Sequence, residues 1–441
     1  MRNLFKGCMQ QSFTQIKLCG VKVDRSRSSI PIIALCMSLV VMPAAADGGS
    51  FSQVYEEFSR AYEDTLTVYG NANLDDIIDE NDIEYVRGII DGTKDENQFA
   101  DANYDGQIDE DDIAQIELII AGEEDRLVIL DMANRTVTVP MPVERIVLAG
   151  GVDSIRTLVL LGAEDKIVGC GYPSRWDPIW YAAPELEDLP DTSSGEGNSF
   201  NVELAVSLEP DVIFVWTWDN KYNADEIQEK SQVPTIAVCG YQDGLWVADM
   251  IRIIGAVTGN DEKSRDLIAY TKEKVNEITD ITSEIPDEDK PVVYCTAGSG
   301  KITSCCGALS CIEFAGGLNA AEFTGSSFQI SKEQVIKWNP DVILILFGSH
   351  EMISEVLSDP VLQTVNAVKN GRVYSIRIGL NGWGALGAQL SSLNYLAKLF
   401  HPDKFEDLDV EEEGNEIMEA LYGVAGLYTE MAEEYNFYRW G

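Results

Sequence analysis

A twelve-residue segment, DANYDGQIDEDD at positions 101–112, carries an acid or amide at every second position and a glycine at the sixth. Calcium-binding loops present oxygen atoms at positions 1, 3, 5, 7, 9 and 12 and turn sharply at position 6, with position 7 using its backbone carbonyl. The matching candidates are Asp101, Asn103, Asp105, Gln107, Asp109 and Asp112, with Gly106 at the turn. The segment therefore predicts a calcium site.

A second copy of this pattern, NANLDDIIDEND, occupies positions 71–82. Its candidates are Asn71, Asn73, Asp75, Ile77 through its carbonyl, Asp79 and Asp82. Asp76 takes the place of the turn glycine, where we expect a costly positive φ. Residues 71–124 hold 18 acids and 2 bases, and so dense a charge repels itself without bound cations. A solvated acidic stretch is disfavoured because ligand spacing and the following helical pattern both repeat, so we expect two calcium ions.

These two units resemble a dockerin module, in which two loop–helix units each use Asp as the twelfth ligand. The resemblance covers about residues 68–122 and predicts a small all-α module within 68–125. It implies a cohesin-like partner, bound through loop positions 10 and 11, which are Glu80, Asn81, Glu110 and Asp111.

The charge and the N-terminal residues indicate where the protein works. The 441 residues contain 74 Asp and Glu against 32 Lys and Arg, a net charge of −42, which argues against a nucleic-acid partner. An apolar run at 30–42 follows Arg25 and Arg27 and precedes three alanines, as in a cleaved secretory signal over 1–46. A membrane anchor is the alternative. We expect a linker at 47–67 and a secreted or extracytoplasmic, cell-surface-associated protein.

Beyond residue 125, short apolar runs alternate with helical patterns, which predicts an α/β fold with parallel sheets. The predicted strands are 144–150, 165–171, 211–217, 234–240, 291–297, 341–347 and 371–377. A long helical pattern over 260–282, opening at Asn260, would span about 30 Å. We therefore predict a first lobe at 126–258, a connecting helix at 259–285 and a second lobe at 286–441.

The two predicted lobes contain matching segments. NVELAVSLEPDVIFVW at 201–216 and SKEQVIKWNPDVILIL at 331–346 each run from an acid in a first helical turn, through a proline, to Asp-Val-Ile at the start of a strand. Glu203 and Glu333 occupy equivalent positions, where an acid is favoured by the helix dipole. The match predicts two lobes of similar construction.

With LDMANRTVTVPMPVERIV at 130–147, these segments resemble the metal-chelate class of substrate-binding proteins of ABC importers, over roughly residues 127–441. The resemblance implies the class III periplasmic-binding-protein fold, with two Rossmann-like lobes joined by one long helix. It also implies a ligand such as a ferric siderophore, haem or cobalamin. Glu203 and Glu333 match the acids that dock on arginines of the membrane permease.

The ligand is expected in a cleft formed by loops that follow the strands, because open α/β sheets bind ligands beyond their carboxyl ends. Aromatic walls with a cation suit a large, flat, partly anionic ligand. The candidates are Tyr172, Arg175, Trp176, Trp216, Trp218, Phe328, Asn381 and Trp383. Core packing is the alternative for each aromatic residue.

Other chemistries find less support in the sequence. The chain has only two histidines, His350 and His401, and they do not resemble a metal pair, so a chelated metal is favoured over a bare one. Six cysteines follow the predicted signal: Cys170, Cys239, Cys295, Cys305, Cys306 and Cys311. No CxxC pair occurs, and disulfides remain possible outside the cell without a defined pairing. No nucleophile motif or phosphate loop indicates an enzyme. The alternative function is a calcium-dependent surface scaffold.

Overall fold

The structure is a computed structural model that describes residues 65–150, 153–171, 178–193, 200–217, 223–238, 248–307, 309–321, 328–346, 348–376 and 386–435, with 55, 56 and 59. The predicted signal at 1–46 lies outside these residues. Across the described ranges, no helix is both long and apolar enough to cross a membrane.

The chain alternates helices and strands. The helices are α1 (Glu80–Ile90), α2 (Glu110–Ala121), α3 (Asp153–Leu161), α4 (Ile179–Ala182), α5 (Val202–Ser207), α6 (Ala224–Ser231), α7 (Ala248–Thr258), α8 (Asp261–Thr282), α9 (Ser310–Phe314), α10 (Lys332–Trp338), α11 (His350–Ser358), α12 (Asn366–Lys369), α13 (Leu386–Phe400), α14 (Val410–Tyr422) and α15 (Leu427–Tyr435). The strands are β1 (Arg126–Leu130), β2 (Thr136–Pro140), β3 (Ile146–Ala149), β4 (Ile167–Gly169), β5 (Val212–Trp216), β6 (Thr235–Val238), β7 (Val292–Cys295), β8 (Ser304–Cys305), β9 (Leu318–Asn319), β10 (Phe328–Gln329), β11 (Val342–Leu346) and β12 (Val373–Ile376). Short 3₁₀ helices cover Gln98–Ala100, Glu164–Lys166, Pro184–Asp188 and Asp287–Asp289.

Two parallel four-stranded sheets have the same strand order. The first is β4-β3-β5-β6 and the second is β9-β7-β11-β12, so in each lobe the first strand lies between the second and the third. The central strands β5 and β11 read VIFVW and VILIL and are almost wholly buried. Continuous apolar runs of this kind are typical of parallel strands covered on both faces. All seven predicted strands are confirmed.

Helix α8 connects the two lobes, as the sequence predicts. Its apolar residues Leu267, Ile268, Val275 and Ile278 are buried, and it packs against α3 and α7 of the first lobe and α9 and α13 of the second. Asn260 stands at the cap position, but its side chain does not cap the helix. Its amide donates instead to the carbonyl and hydroxyl oxygens of Thr258.

The first lobe begins with an antiparallel hairpin, β1–β2, which the periodicity did not reveal. Residues before the first acidic loop extend this hairpin, since Val68 bridges to Ile129 and the Tyr69 N–H donates to Val128 O at 2.9 Å. Within the predicted linker, Tyr55 donates its hydroxyl to Asn276 on α8 at 2.8 Å. Tyr55 therefore contacts the connecting helix, and Val68 and Tyr69 pair with the hairpin of the first lobe.

Candidate ligand and calcium sites

Each acidic loop is followed by a helix, and the two loop–helix units have the same capping geometry. Asp79 and Asp109 cap α1 and α2, and each helix carries an acid as its third residue in a reciprocal capping box. Asp112 accepts the N–H groups of Asn103 at 3.1 Å and Asp109 at 2.8 Å. Asp82 makes the same pair of bonds, to Asn73 at 3.0 Å and Asp79 at 2.8 Å.

The twelfth-position acids are fully buried. Burial raises the pKa of Asp82 to about 6 and also raises the pKa of Asp112, because a charged carboxylate loses its water. A buried carboxylate facing a loop of oxygen-bearing side chains fits the donor set of a hard cation such as calcium.

The loop conformations correct one prediction about the first loop. Leu74 and Tyr104, the fourth residues of the loops, have φ of 63° and 58°, and Gly106 has φ of 89°. Asp76 is not among the described residues at positive φ, so the expected strain at this position is wrong. The first loop avoids the conformation that requires glycine.

The acidic side chains of both loops bond mainly to the loop backbone. Asp101, for example, accepts the N–H groups of Asp105 and Gly106, each at 3.0 Å. Within the described ranges, no three or more His, Cys, Asp or Glu side chains gather as a metal centre. A carboxylate has more acceptor sites than these bonds occupy, so the same side chains can also face a cation.

The first loop is tied to the first lobe by a buried arginine, which sequence reasoning missed. Arg252 on α7 has a side chain 2% exposed, and it contacts both carboxylate oxygens of Asp76, with Nε–Oδ1 at 2.8 Å and Nη2–Oδ2 at 3.1 Å. Asp249 accepts from its Nη1 at 3.0 Å. The sequence feature that could have revealed this contact is an arginine inside the apolar run ADMIRIIGAV, because a buried arginine requires an acidic partner.

The equivalent acids lie at equivalent places in the two lobes. Glu203 and Glu333 are each the second residue of a helix, α5 and α10, and both are exposed. The preceding residues, Asn201 and Ser331, cap these helices through their side chains. The Glu333 carboxylate accepts hydrogen bonds from its own backbone N–H and from the Ser331 side chain. These bonds lower the pKa of Glu333 and favour its charged form.

The structure describes two of the predicted ligand residues. Trp216 is half-buried and is the last residue of β5, paired with Val238, so it lies on the sheet and not in the loop that follows the strand. Phe328 is half-buried on β10, opposite Cys305 of β8. The other predicted ligand residues fall outside the described residues, namely Tyr172, Arg175, Trp176, Trp218, Asn381 and Trp383.

The two histidines lie in different parts of the second lobe. His350 is the first residue of α11. His401 follows α13, and its Nε2 lies 2.8 Å from Gly316 O, where the ring N–H donates to the carbonyl. Burial lowers the pKa of His401, so the neutral ring is favoured.

Comparison with known proteins shows which family has this architecture. A family model described as "Periplasmic binding protein" matches residues 147–378, more than half of the chain. The chain is similar to the molybdate-binding protein MolA of Haemophilus influenzae, at 26% identity over 332 residues, which cover 67% of this chain and 90% of that protein. It is also similar to the iron-uptake system-binding protein of Bacillus subtilis, at 22% identity, covering 56% of this chain and 78% of that protein.

Solved structures share the fold. An ABC transporter solute-binding protein from Sulfurospirillum deleyianum superposes with a TM-score of 0.58 at 20% identity, covering 71% of this chain and 99% of that one. MolA bound to molybdate gives a TM-score of 0.55 at 21% identity, covering 68% and 98%. The family match spans both sheets and the helix between them. The chain therefore belongs to the periplasmic binding protein family.

Proposed function

We propose that this protein is an extracytoplasmic, cell-surface-associated substrate-binding protein that captures a metal chelate and delivers it to an ABC importer. The observation that carries the proposal is the pair of sheets with one strand order, joined by α8, in a chain of the periplasmic binding protein family. Such lobes present the carboxyl ends of their strands to a ligand.

The proposed ligand is a metal that arrives with its own ligands, such as a ferric siderophore, haem or cobalamin. His401 is bonded to a backbone carbonyl, and aromatic residues stand at the carboxyl end of β5 and on β10. Similar proteins are named for iron uptake, ferric citrate and molybdate. A molybdate-type oxyanion is the second candidate, because the 26% identity to MolA covers 90% of that protein.

A ligand screen tests this proposal. The full-length protein is titrated with a ferric siderophore, haem, cobalamin, ferric citrate and molybdate while tryptophan fluorescence is followed. Saturable quenching by an iron complex or a corrinoid, with molybdate inactive, is the expected result. Binding of molybdate alone would select the oxyanion, and the absence of binding to all five would contradict the proposal.

Glu203 and Glu333 are proposed as docking residues for the permease. Both are exposed at the starts of matching helices, at positions 130 residues apart in the chain. Helices that return from parallel strands begin at the carboxyl ends of those strands, so each acid lies at the carboxyl-end edge of its own sheet. Arginines of a membrane partner could contact both at once.

The loops at 71–82 and 101–112 are proposed to bind one calcium ion each, as a dockerin-like module. Calorimetry on the full-length protein is expected to show two sites, in the range of about 10⁻⁴–10⁻³ M that extracellular modules use. Asp112→Ala should abolish the site of its loop, because it removes the bidentate ligand. Asp111→Ala is the matched control, since Asp111 is exposed and is not a proposed ligand. Equal calcium binding by both variants and the wild type would contradict the proposal.

The module is proposed to serve the binding protein outside the membrane, as a spacer or tether. The Asp76–Arg252 ion pair supports this role over a separate scaffold, because it fixes the first loop to the first lobe. A cohesin-like partner would use Glu80, Asn81, Glu110 and Asp111, which are all exposed. Calcium-dependent capture of a cohesin by the full-length protein tests this partner, and unchanged capture after reversing the charges of Glu80 and Glu110 would contradict the surface.

A further inference from the structure

Two cysteines of the second lobe face each other across adjacent strands. Thr296 and Cys305 form an antiparallel bridge, and the N–H of Cys306 donates to Cys295 O at 3.1 Å. This register places Cys295 directly opposite Cys306, with both side chains on one face of the hairpin. Both sulfur atoms lie 3.4 Å from the same acceptor, Thr296 O.

The other nearby thiols are placed differently. Cys305 points to the opposite face, where its sulfur donates to Cys306 O at 2.7 Å and its side chain joins the core around Tyr294. Cys311 shares the core of Cys295 and Cys306 but lies on α9, outside the hairpin. The strand register therefore selects one pair among these four buried cysteines.

We propose that Cys295 and Cys306 form a disulfide bond that closes the hairpin 295–306. Directly opposed residues of an antiparallel pair have Cα atoms about 4.5–5.5 Å apart, inside the range that a disulfide requires. The bond is appropriate for a protein that folds outside the cytoplasm, where disulfides persist. It fixes β8, whose partner strand β10 carries Phe328.

The chemistry is thiol–disulfide exchange with a disulfide oxidant, either a small molecule or a protein. The Cys306 thiolate attacks one sulfur of the oxidant, releases the other as a thiol and forms a mixed disulfide. The Cys295 sulfur then attacks Cys306, loses its proton and releases the second thiol. Two electrons pass to the oxidant, which is reduced to two thiols.

The burial of both cysteines determines when this exchange can take place. Cys295 is 5% exposed and Cys306 is 2% exposed, so an oxidant reaches them while the lobe folds and not afterwards. Once formed, the bond is shielded from reductants.

Peptide mapping tests the pairing. The reduced, unfolded full-length protein is refolded in a glutathione redox buffer, the remaining thiols are alkylated, and the protein is digested with trypsin. Lys301 lies between the two cysteines, so a bond appears as two tryptic peptides joined through sulfur, and fragmentation assigns the cysteines. We expect a Cys295–Cys306 link in the wild type, its retention in Cys305→Ser and Cys311→Ser, and its loss in Cys306→Ser.

Two results would overturn the inference. One is alkylation of both Cys295 and Cys306 in the refolded wild type, and the other is a link from Cys295 to Cys305 or Cys311. Both are read from the wild type alone, so a variant that fails to fold leaves the test intact. The ligand plays no part in this readout, so the result is separate from the proposed transport function.

Discussion

The two lobes share a frame and differ in what is attached to it. Both have four parallel strands in one order, and both place a capped helix with an exposed acid before the third strand. Each of these helices is followed by a left-handed residue, Glu209 or Asn339, and then by a proline. An aspartate then accepts the backbone N–H at the start of the neighbouring strand, Asp211 from Arg145 and Asp341 from Val292.

The attachments distinguish the lobes. The first lobe carries the acidic loop–helix pair, joined to it by Arg252, and the second carries the hairpin with Cys295 and Cys306. Features common to both lobes are those expected to serve capture and delivery. Features of one lobe are expected to support it locally, so their loss should leave delivery largely intact while changing stability.

The largest effect is expected from disrupting the common feature. Glu203→Lys together with Glu333→Lys should abolish uptake by vesicles that contain the cognate permease, because the two proposed docking charges are reversed. Ligand affinity in solution should stay unchanged, and each single variant should retain part of the uptake. An affinity loss of tenfold or more, about 1.4 kcal/mol, would place these acids in the ligand site.

A matched control reverses charge at the other ends of the strands. Asp165 and Glu288 are exposed, and they precede β4 and β7, one in each lobe. The Asp165→Lys/Glu288→Lys double variant changes the net charge equally and should transport normally. Loss of uptake in this control would show that total charge, and not docking, explains the first result.

The next effect concerns the attachment of the first lobe. Arg252→Leu should lower the free energy of unfolding by roughly 2 kcal/mol, because it removes charge-assisted hydrogen bonds from a buried guanidinium to the partly exposed Asp76 and Asp249. Denaturant unfolding measures this change, and hydrogen exchange should rise in residues 71–82. Arg87→Leu, at an exposed arginine of α1, should stay within about 0.5 kcal/mol of the wild type. Equal stability of the two variants would show that Arg252 does not secure the loop.

A smaller effect is expected at the aromatic residues proposed to contact the ligand. Trp216→Ala and Phe328→Ala should each weaken ligand binding by more than about tenfold, as truncation of a packed aromatic commonly does. Trp216→Leu keeps an apolar side chain at the end of β5 and separates affinity from stability. Trp338→Ala is the control for the loss of a packed aromatic side chain that is not a proposed ligand residue. The Trp338 ring packs near Tyr294, with the two ring centroids 5.8 Å apart. Unchanged affinity in both aromatic variants would remove them from the ligand site.

The smallest effect is a proton titration in the second lobe. The buried neutral ring of His401 should titrate below the unperturbed value of about 6.5, as read from its proton resonance. Its stabilising contribution is therefore present above that value and is lost as the pH falls through the window below it. His401→Gln should flatten this part of the stability profile. A midpoint above 6.5 would contradict the assignment.

The sequence predicted the common frame well because it is encoded locally. Buried runs such as DVILILF and the proline after each matching helix specify strands and boundaries without reference to distant residues. The hairpin β1–β2 was missed because its alternation is short, and the strands β8 and β10 are two residues each. The Asp76–Arg252 pair joins residues 176 apart, and the thiol register depends on strand pairing, so neither follows from spacing alone.

The most direct test of the central claim is a calorimetric titration that compares a ferric siderophore, the same siderophore without iron, and ferric ion held by a weak buffer ligand. The account predicts that one ferric chelate binds per chain, and that the iron-free siderophore and the weakly held ion bind at least tenfold more weakly. Equal binding of the weakly held ion would show that the protein supplies its own metal ligands, and it would contradict chelate capture.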